Sequence, residues 1–265
     1  MPDKTLRALI LGDVVGQAGC RALFLLLAGL VKEHGADLVV VNGENAASGF
    51  GILPEMVEKF FTAGVHVITS GNHIWQQKEV IPLLDQEDRL LRPLNYPKGV
   101  PGHGSCIVEI RGTKVAVVNL QGRVRMNNIL CPFLIGKEAA RKLEKETKLI
   151  LVDFHAEDPE EKEALGMYLD GEVSAVFGTH THVQTADERI LKRGTAYITD
   201  IGMIGTDGSV IGFKSAIALE RSLTQLPIKM EAEDGPAVIH GILVTLDVSS
   251  GKALSIERIR TASPI

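Results

Sequence analysis

Between residues 6 and 84 short apolar runs alternate with helix-like stretches, and each run stops beside a glycine and a polar side chain. Residues 6–11 end in Gly12-Asp13. Residues 38–41 end in Asn42-Gly43-Glu44-Asn45, and residues 65–69 in Ser70-Gly71-Asn72-His73. Apolar runs this short read as buried strands. The stretches between them predict helices over about 20–34, 54–63 and 76–84. Gly16 and Gly19 loosen the chain before the first of these, Gly35 ends it, and Pro54 opens the second. A β-α-β-α-β-α series implies a mostly parallel sheet covered by helices, and ligands of such sheets sit beyond the strand C-termini. Asp13, Glu44, Asn45, Asn72 and His73 all fall there.

The second half changes character. A proline-punctuated loop over 89–101 precedes a predicted antiparallel hairpin, 105–110 with 114–120. A helix over 135–148 follows, dense in Lys and Glu, and then a strand over 149–152 that ends in Asp153-Phe154-His155. After a helix over about 160–169, the run 175–177 leads into Gly178-Thr179-His180-Thr181-His182. Alternate residues of an extended chain face one side, so continued extension would aim both imidazoles the same way. A strand over 196–199 stops at Asp200. Alternating runs over 238–246 and 253–259 read as antiparallel strands. No repeat or long linker divides the 265 residues, so one domain, 1–265, with two sheets is expected.

Composition narrows the function. Hydrophobic content of 45% and charged content of 23% are those of a globular protein. A formal net charge of -5 argues against a protein that holds nucleic acid mainly by a broad basic surface. Cys20, Cys106 and Cys131 are scattered and form no CxxC pair, which points to a reducing cytoplasm. Residues 1–5 carry no apolar leader. The most apolar stretch, residues 23–31, is far below the ~20 residues that cross a bilayer. It predicts a helix buried on more than one face, by the core or by a second subunit.

Eight strand-end side chains remain: Asp13, Glu44, Asn45, Asn72, His73, His155, His180 and His182. Mixed nitrogen and oxygen donors suit Mn, Fe or Zn better than Mg or Ca. They are too many for one ion and enough for two. A pair of ions ~3.5–4 Å apart is the usual device for in-line displacement at phosphorus. Asp200 and Glu157 are placed to support the histidines from behind.

Gly12-Asp13, Gly71-Asn72-His73, the lone His155 and Gly178 through His182 resemble the motif series of the calcineurin-like metallophosphoesterases. The longer phrases are similar to one branch, the YmdB-like bacterial 2′,3′-cyclic-nucleotide phosphodiesterases. They are Gly12-Asp13-Val14-Val15-Gly16, Asn42-Gly43-Glu44-Asn45-Ala46-Ala47, Asn119-Leu120-Gln121-Gly122-Arg123, Asp153-Phe154-His155-Ala156-Glu157, and Tyr197-Ile198-Thr199-Asp200. The resemblance implies a sandwich of two mixed β-sheets flanked by helices, with the metal site at the strand C-terminal ends. It implies two transition-metal ions, Fe or Mn with Zn as a further possibility. Asp13, Glu44, Asn45 and His182 would hold one ion. Glu44, Asn72, His155 and His180 would hold the other, with Glu44 as the bridge. Most of the superfamily carries Asp-x-His where this chain has Asp13-Val14-Val15, and a bridging Asp where it has Glu44. In the YmdB-like branch Asn45 compensates for the missing imidazole. His73 is left over, and the resemblance makes it the general acid at the leaving oxygen. The substrate would be a small phosphodiester, opened by a metal-activated hydroxide to a 3′-nucleotide. Residues 206–226 depart from the family wording, which bears on the substrate rim. A regulatory nucleotide- or RNA-binding protein with structural metals and little turnover is the alternative. The spare imidazole of His73 favours the enzyme.

Overall fold

The computed structural model describes residues 5–263; residues 1–4, part of the stretch read above as carrying no apolar leader, and residues 264–265 lie outside the described residues. In chain order come β1 (Thr5–Leu11), β2 (Asp13–Val14), α1 (Gly16–His34), β3 (Leu38–Asn42), α2 (Pro54–Thr62) and β4 (Val67–Thr69). A 3₁₀ turn, Lys78–Val80, leads into α3 (Ile81–Leu84). Then follow β5 (Ser105–Ile110), β6 (Thr113–Gln121), α4 (Pro132–Leu143), β7 (Ile150–His155), α5 (Pro159–Leu169) and β8 (Ala175–Thr179). The chain ends with β9 (Arg189–Ile190), β10 (Ala196–Ile198), β11 (Met203–Thr206), α6 (Ser215–Thr224), β12 (Ala237–Asp247) and β13 (Ala253–Ala262).

Two mixed sheets result. The first runs β2-β11-β12-β1-β3-β4, with β13 also paired to β12. β1, β3 and β4 are parallel, while β12 returns antiparallel to β1 in the register Leu6↔Leu246 and Ile10↔Ile242. The second runs β5-β6-β7-β8-β10-β9, parallel through its centre and antiparallel at both edges.

Period-two alternation sorts each strand between two cores. Leu6, Ala8, Ile10, Leu38, Val40 and Val67 of the first sheet meet Val115, Val117, Leu149, Leu151, Phe177 and Ile198 of the second. Their neighbours face outward and are covered in turn. Leu9, Leu11, Val39 and Val41 pack with Leu23, Leu27 and Leu30 of α1 and Phe60 of α2. Ala116, Val118, Ile150 and Val152 pack with Ala140 of α4 and Leu165 of α5. Strands buried on both faces explain the unbroken apolar runs in the sequence. Each such side chain contributes about 1.5–3 kcal/mol by leaving water. Near the C-terminal ends the inward positions turn polar: Asn42, Thr69, Asn119, Asp153 and Thr179 are all buried.

The helices differ from expectation in instructive ways. α1 starts at Gly16, which takes φ +61, and Gly19 lies inside the helix. A Cβ on Gly19 would collide with the Ile204 carbonyl, so this glycine permits close packing on β11 rather than loosening the chain. α1 also buries one face only: Leu23, Leu27 and Leu30 are covered, whereas Phe24 and Leu25 are 39% and 50% exposed. Residues 76–84 form only the 3₁₀ turn and α3, since Pro82 cannot donate to a preceding turn. α4 opens three residues early because Pro132 takes the helix start.

Gly19 and Gly29 therefore separate helix propensity from packing. Alanine gains ~0.8–1 kcal/mol over glycine inside a helix. At Gly29 nothing lies within 4 Å of the added Cβ, so Gly29→Ala should raise stability by up to that amount. At Gly19 the Cβ meets backbone that cannot step aside, and overpacking costs of ~1–3 kcal/mol outweigh the gain. Urea unfolding midpoints should move in opposite directions for the two variants.

Candidate metal centre

The polar layer that closes the inter-sheet core is one hydrogen-bonded unit built on Asp153. Its Oδ2 accepts from Thr69 Oγ1 at 2.5 Å and Asn42 Nδ2 at 3.1 Å, and its Oδ1 from Thr179 Oγ1 at 2.7 Å. Burial pushes the Asp153 carboxyl up to about 7, against the pull of Thr69 and His155. Asn42 also accepts from the Glu44 backbone N–H at 3.1 Å, and Asn119 from that of Ser70 at 3.0 Å. The layer thus fixes the turns that carry Glu44 and Asn72-His73.

Above it the strand-end residues converge. Asp13 and Glu44 come from the first sheet and His155, His180 and His182 from the second. Asp13, Glu44 and His155 are fully buried. His155 Nε2 lies 2.9 Å from Glu44 Oε1 and 3.0 Å from His180 Nδ1. His182 Nε2 lies 3.4 Å from Asp13 Oδ2 and 2.9 Å from the Asn45 amide. The ligand-type atoms therefore fall into two neighbouring groups, one around His155 and His180 and one around His182 and Asp13. Glu44, His155 and His180 alone bring three such atoms within 4.8 Å of one another. Gly71 backs onto the first group, and a Cβ there would strike His155 and Glu44.

Each imidazole is oriented by its other nitrogen. His155 Nδ1 meets Thr179 Oγ1 at 2.9 Å, His182 Nδ1 the Ile211 carbonyl at 2.7 Å, and His180 Nε2 the Glu157 carboxylate at 3.2 Å. Such partners fix ring orientation and tautomer in metal sites. Asp200 instead grips Thr181 between the histidines, through its N–H at 3.2 Å and Oγ1 at 2.8 Å. The expected extended backbone is absent here. His180 takes φ 98 and His182 φ 66. Left-handed non-glycine residues cost about 1–3 kcal/mol each and persist where surroundings hold them.

His73 stands at the mouth, with its side chain 21% exposed. Its backbone N–H donates to Glu44 Oε2 at 3.1 Å, and its ring packs edge-on to Phe50 with centroids 5.1 Å apart. Its Nδ1 is engaged by Glu44 Oε1 at 3.2 Å and the Asn45 amide at 2.9 Å. With the Asn45 oxygen turned toward His182, its nitrogen donates to both Glu44 and His73. Phe213 stacks on His182 and packs on Phe50.

The donor set fits metal ions. Asp13 Oδ1 and Asn72 Oδ1 are buried without a hydrogen-bond partner, a costly state that a cation relieves. The electrostatics agree. Burial raises Glu44, but His155 and His73 outweigh it and hold the carboxyl well below its ordinary range. Burial depresses His155, and Glu44, Asp13 and Asp153 outweigh this to lift it to about 9. His182 is likewise raised, by Asp13 and the Ile211 carbonyl against burial. His180 is pushed down to about 3 by burial and by the charge on His155.

All eight predicted residues gather at this end of the two sheets. Sequence reasoning missed Thr179 and Ile211 as partners of His155 and His182. Thr179 was signalled by its place directly before His180, whereas a backbone carbonyl leaves no side-chain signal.

A two-sheet α/β sandwich with buried carboxylates and imidazoles at the strand ends defines a metallophosphoesterase-type fold. The chain belongs to the YmdB-like protein family, whose description matches residues 9–259. It is 41% identical over 254 residues to the 2′,3′-cyclic-nucleotide 2′-phosphodiesterase of Bacillus subtilis strain 168, covering 96% of both chains. Among solved structures it is similar to a hypothetical protein from Thermus thermophilus, at 40% identity and TM-score 0.89, over 98% of this chain and all of that one. It is also similar to a novel phosphatase from Mycoplasma pneumoniae, at 36% identity and TM-score 0.91, over 98% of this chain and 94% of that one.

Proton competition tests the site. In the ion-free protein His155 holds its proton up to about pH 9, and a metal ion needs that nitrogen bare. His180 is already neutral at pH 7. Affinity for Mn²⁺ should therefore rise between pH 6 and 8, and binding should release protons. Calorimetry in buffers of different ionisation enthalpy measures this, and binding without proton release would exclude His155 from the site.

Proposed function

We propose that this chain is a dinuclear-metal phosphodiesterase that opens 2′,3′-cyclic nucleotides to 3′-nucleotides, with His73 as general acid. The observation that carries the reading is one spare imidazole at the mouth of a buried cluster of carboxylates and imidazoles. Asp13, Glu44, Asn45 and His182 would hold one ion, and Glu44, Asn72, His155 and His180 the other. Fe or Mn suits this mixed donor set best, with Zn a further candidate. When bound, the ions supply charge neutralisation for the phosphate and lower the pKa of water.

The chain's own residues do the rest. Glu44 keeps the two groups in register and holds the His73 N–H. Glu44 and Asn45 engage His73 Nδ1, so Nε2 is the nitrogen that faces a substrate. As a water-derived hydroxide bonds to phosphorus and the P–O2′ bond breaks, His73 Nε2 gives its proton to the 2′ oxygen, which leaves as a hydroxyl. A ribose alkoxide needs that proton, and imidazole is a common general acid. A purely structural or regulatory metal site would have no use for this spare ring at its mouth.

The protein is read as one domain working in the cytoplasm, in keeping with three free cysteines. No helix among the described residues is long and apolar enough to cross a membrane. The exposed Phe24 and Leu25 face of α1 is where a second copy would pair. Light scattering should then find more than a monomer at micromolar concentration, and a monomer would remove that assignment.

Two substitutions test the centre. Glu44→Gln should lower occupancy of both ions, and Asn72→Ala that of one, by metal analysis of purified protein. A single tight ion in fully active protein would defeat the dinuclear scheme.

His73→Ala separates acid catalysis from phosphate binding. General acids contribute about 10²–10⁴-fold. Turnover of a 2′,3′-cyclic nucleotide should fall by that order, whereas bis-nitrophenyl phosphate, whose leaving group departs unprotonated, should lose far less. Metal content should stay the same. Equal losses on both substrates would mean that His73 only stabilises charge shared by both transition states.

A further inference from the structure

We propose that Lys162 of α5 is a positioning residue for the turn that carries His180 and His182, acting through Asp200. The inference rests on the metal-holding role proposed for those histidines. Its starting point is an ion pair that the chemistry above does not use. Lys162 and Asp200 are 1% and 0% exposed, and Lys162 Nζ lies 2.7 Å from Asp200 Oδ2. A lysine so deeply buried is rare unless it is paired. Its neighbours on the same helix face, Leu165 and Leu169, pack in the core, and an apolar side chain would serve packing equally well.

What the pair holds gives the charge a purpose. Asp200 Oδ2, the oxygen that meets Lys162, also accepts from the Thr181 N–H at 3.2 Å and from Thr181 Oγ1 at 2.8 Å. Asp200 Oδ1 accepts from the Gly202 N–H at 2.9 Å. Thr181 lies between two histidines that both occupy left-handed backbone, φ 98 and φ 66. Such conformations persist only where the surroundings hold them. Asp200 grips the single residue between them, twice. Without Lys162 this carboxylate would be a buried anion, and it would relax by taking a proton or by turning toward water. A protonated Oδ2 could no longer accept from both groups of Thr181, and the turn would be released.

The geometry also shows why the lysine comes from α5. That helix begins four residues after His155, and Asp158 caps it by accepting from the Glu161 N–H at 3.0 Å. Lys162 runs beside Gly178 at the end of β8, where an added Cβ would collide with the Thr199 carbonyl and lie 2.9 Å from Lys162 Cδ. Lys162 thereby links the helix after His155 to the loops after β8 and β10. The preceding residue does a similar job: Glu161 accepts from the Arg123 and Val124 N–H groups after β6. The first turn of α5 thus anchors the loops that follow three of the four central strands of the second sheet.

Breaking a buried pair on one side can prevent folding, so the test uses Thr181→Val, the charge-neutral double variant Lys162→Met with Asp200→Asn, and Lys162→Arg, all in the full chain. Three quantities are read: Mn²⁺ affinity by chelator competition, hydrogen exchange of the Thr181 amide in metal-free protein, and the urea unfolding midpoint. Supporting partners of metal ligands typically matter by about 10–100-fold in affinity. Thr181→Val and the double variant should lose affinity on that scale, with Thr181→Val unfolding at the wild-type urea concentration. The Thr181 amide should exchange faster in the double variant, and Lys162→Arg should recover much of both properties. Folded variants with wild-type affinity and wild-type exchange would overturn the proposal. A wild-type protein that takes up no metal would instead defeat the metal-site reading, and amide exchange would still decide whether Lys162 and Asp200 hold the turn.

Discussion

Two carboxylates, Asp13 and Glu44, lie fully buried where the two sheets meet, and the rest of the site answers their charge. A carboxylate taken out of water loses several kcal/mol of hydration unless cations and donors replace it. Here the replacement is mutual. His155 and His182 are pulled above their ordinary range by these anions, and Glu44 is pulled below its own. His180, by its burial and then by the charge on His155, is driven the other way. A cluster that redistributes protons this strongly is arranged to receive positive charge. The orphaned oxygens of Asp13 and Asn72 point to the same need, because protons alone leave them unmet.

That arrangement depends on the sandwich. The first sheet brings the carboxylates and amides, the second brings three imidazoles, and neither half carries a complete donor set. Packing of Ile10, Val40 and Val67 against Leu151, Phe177 and Ile198 therefore sets the distance between anion and imidazole as well as stability. The Asp153 layer is the adapter between the dry core and the polar centre. It touches β3, β4 and β8 through Asn42, Thr69 and Thr179, and it sits two residues before His155 on β7. A layer with several satisfied hydrogen bonds resists shear better than apolar contacts, which have no preferred direction.

Much of this was legible in the sequence, for a physical reason. Strands buried on both faces must be apolar throughout, so a polar residue beside a glycine marks the point where a strand leaves the core. Asp13, Glu44 and Asn72 were placed at strand ends by that change, and His155 by the polar turn that closes the run 149–152. Features that depend on backbone were not legible. His180 and His182 sit in left-handed conformations that nothing in Gly178-Thr179-His180-Thr181-His182 announces, and extended geometry was the natural expectation. Gly19 read as loose chain because its close approach to β11 is a tertiary fact, and Gly16 because its left-handed φ of +61 is a backbone one. Lys162 lies in a charged run, Glu160-Glu161-Lys162-Glu163, in which Glu161 and Lys162 are buried and Glu160 and Glu163 are not.

Residues 206–226, which bear on the substrate rim, also support the centre. The span bonds His182 through the Ile211 carbonyl, a group that any amino acid supplies at that position. Ile211 reaches it with φ 50, and Gly212 fits directly against Val15, the residue that follows β2. The constraint there falls on chain path rather than on side-chain identity. Phe213, one residue later, stacks on His182 and packs against Phe50, which in turn touches His73. The segment was expected to matter only at the substrate rim. It reaches both the rim and the imidazole that faces Asp13, so a change in its path would move His182 and the aromatic wall beside His73 together.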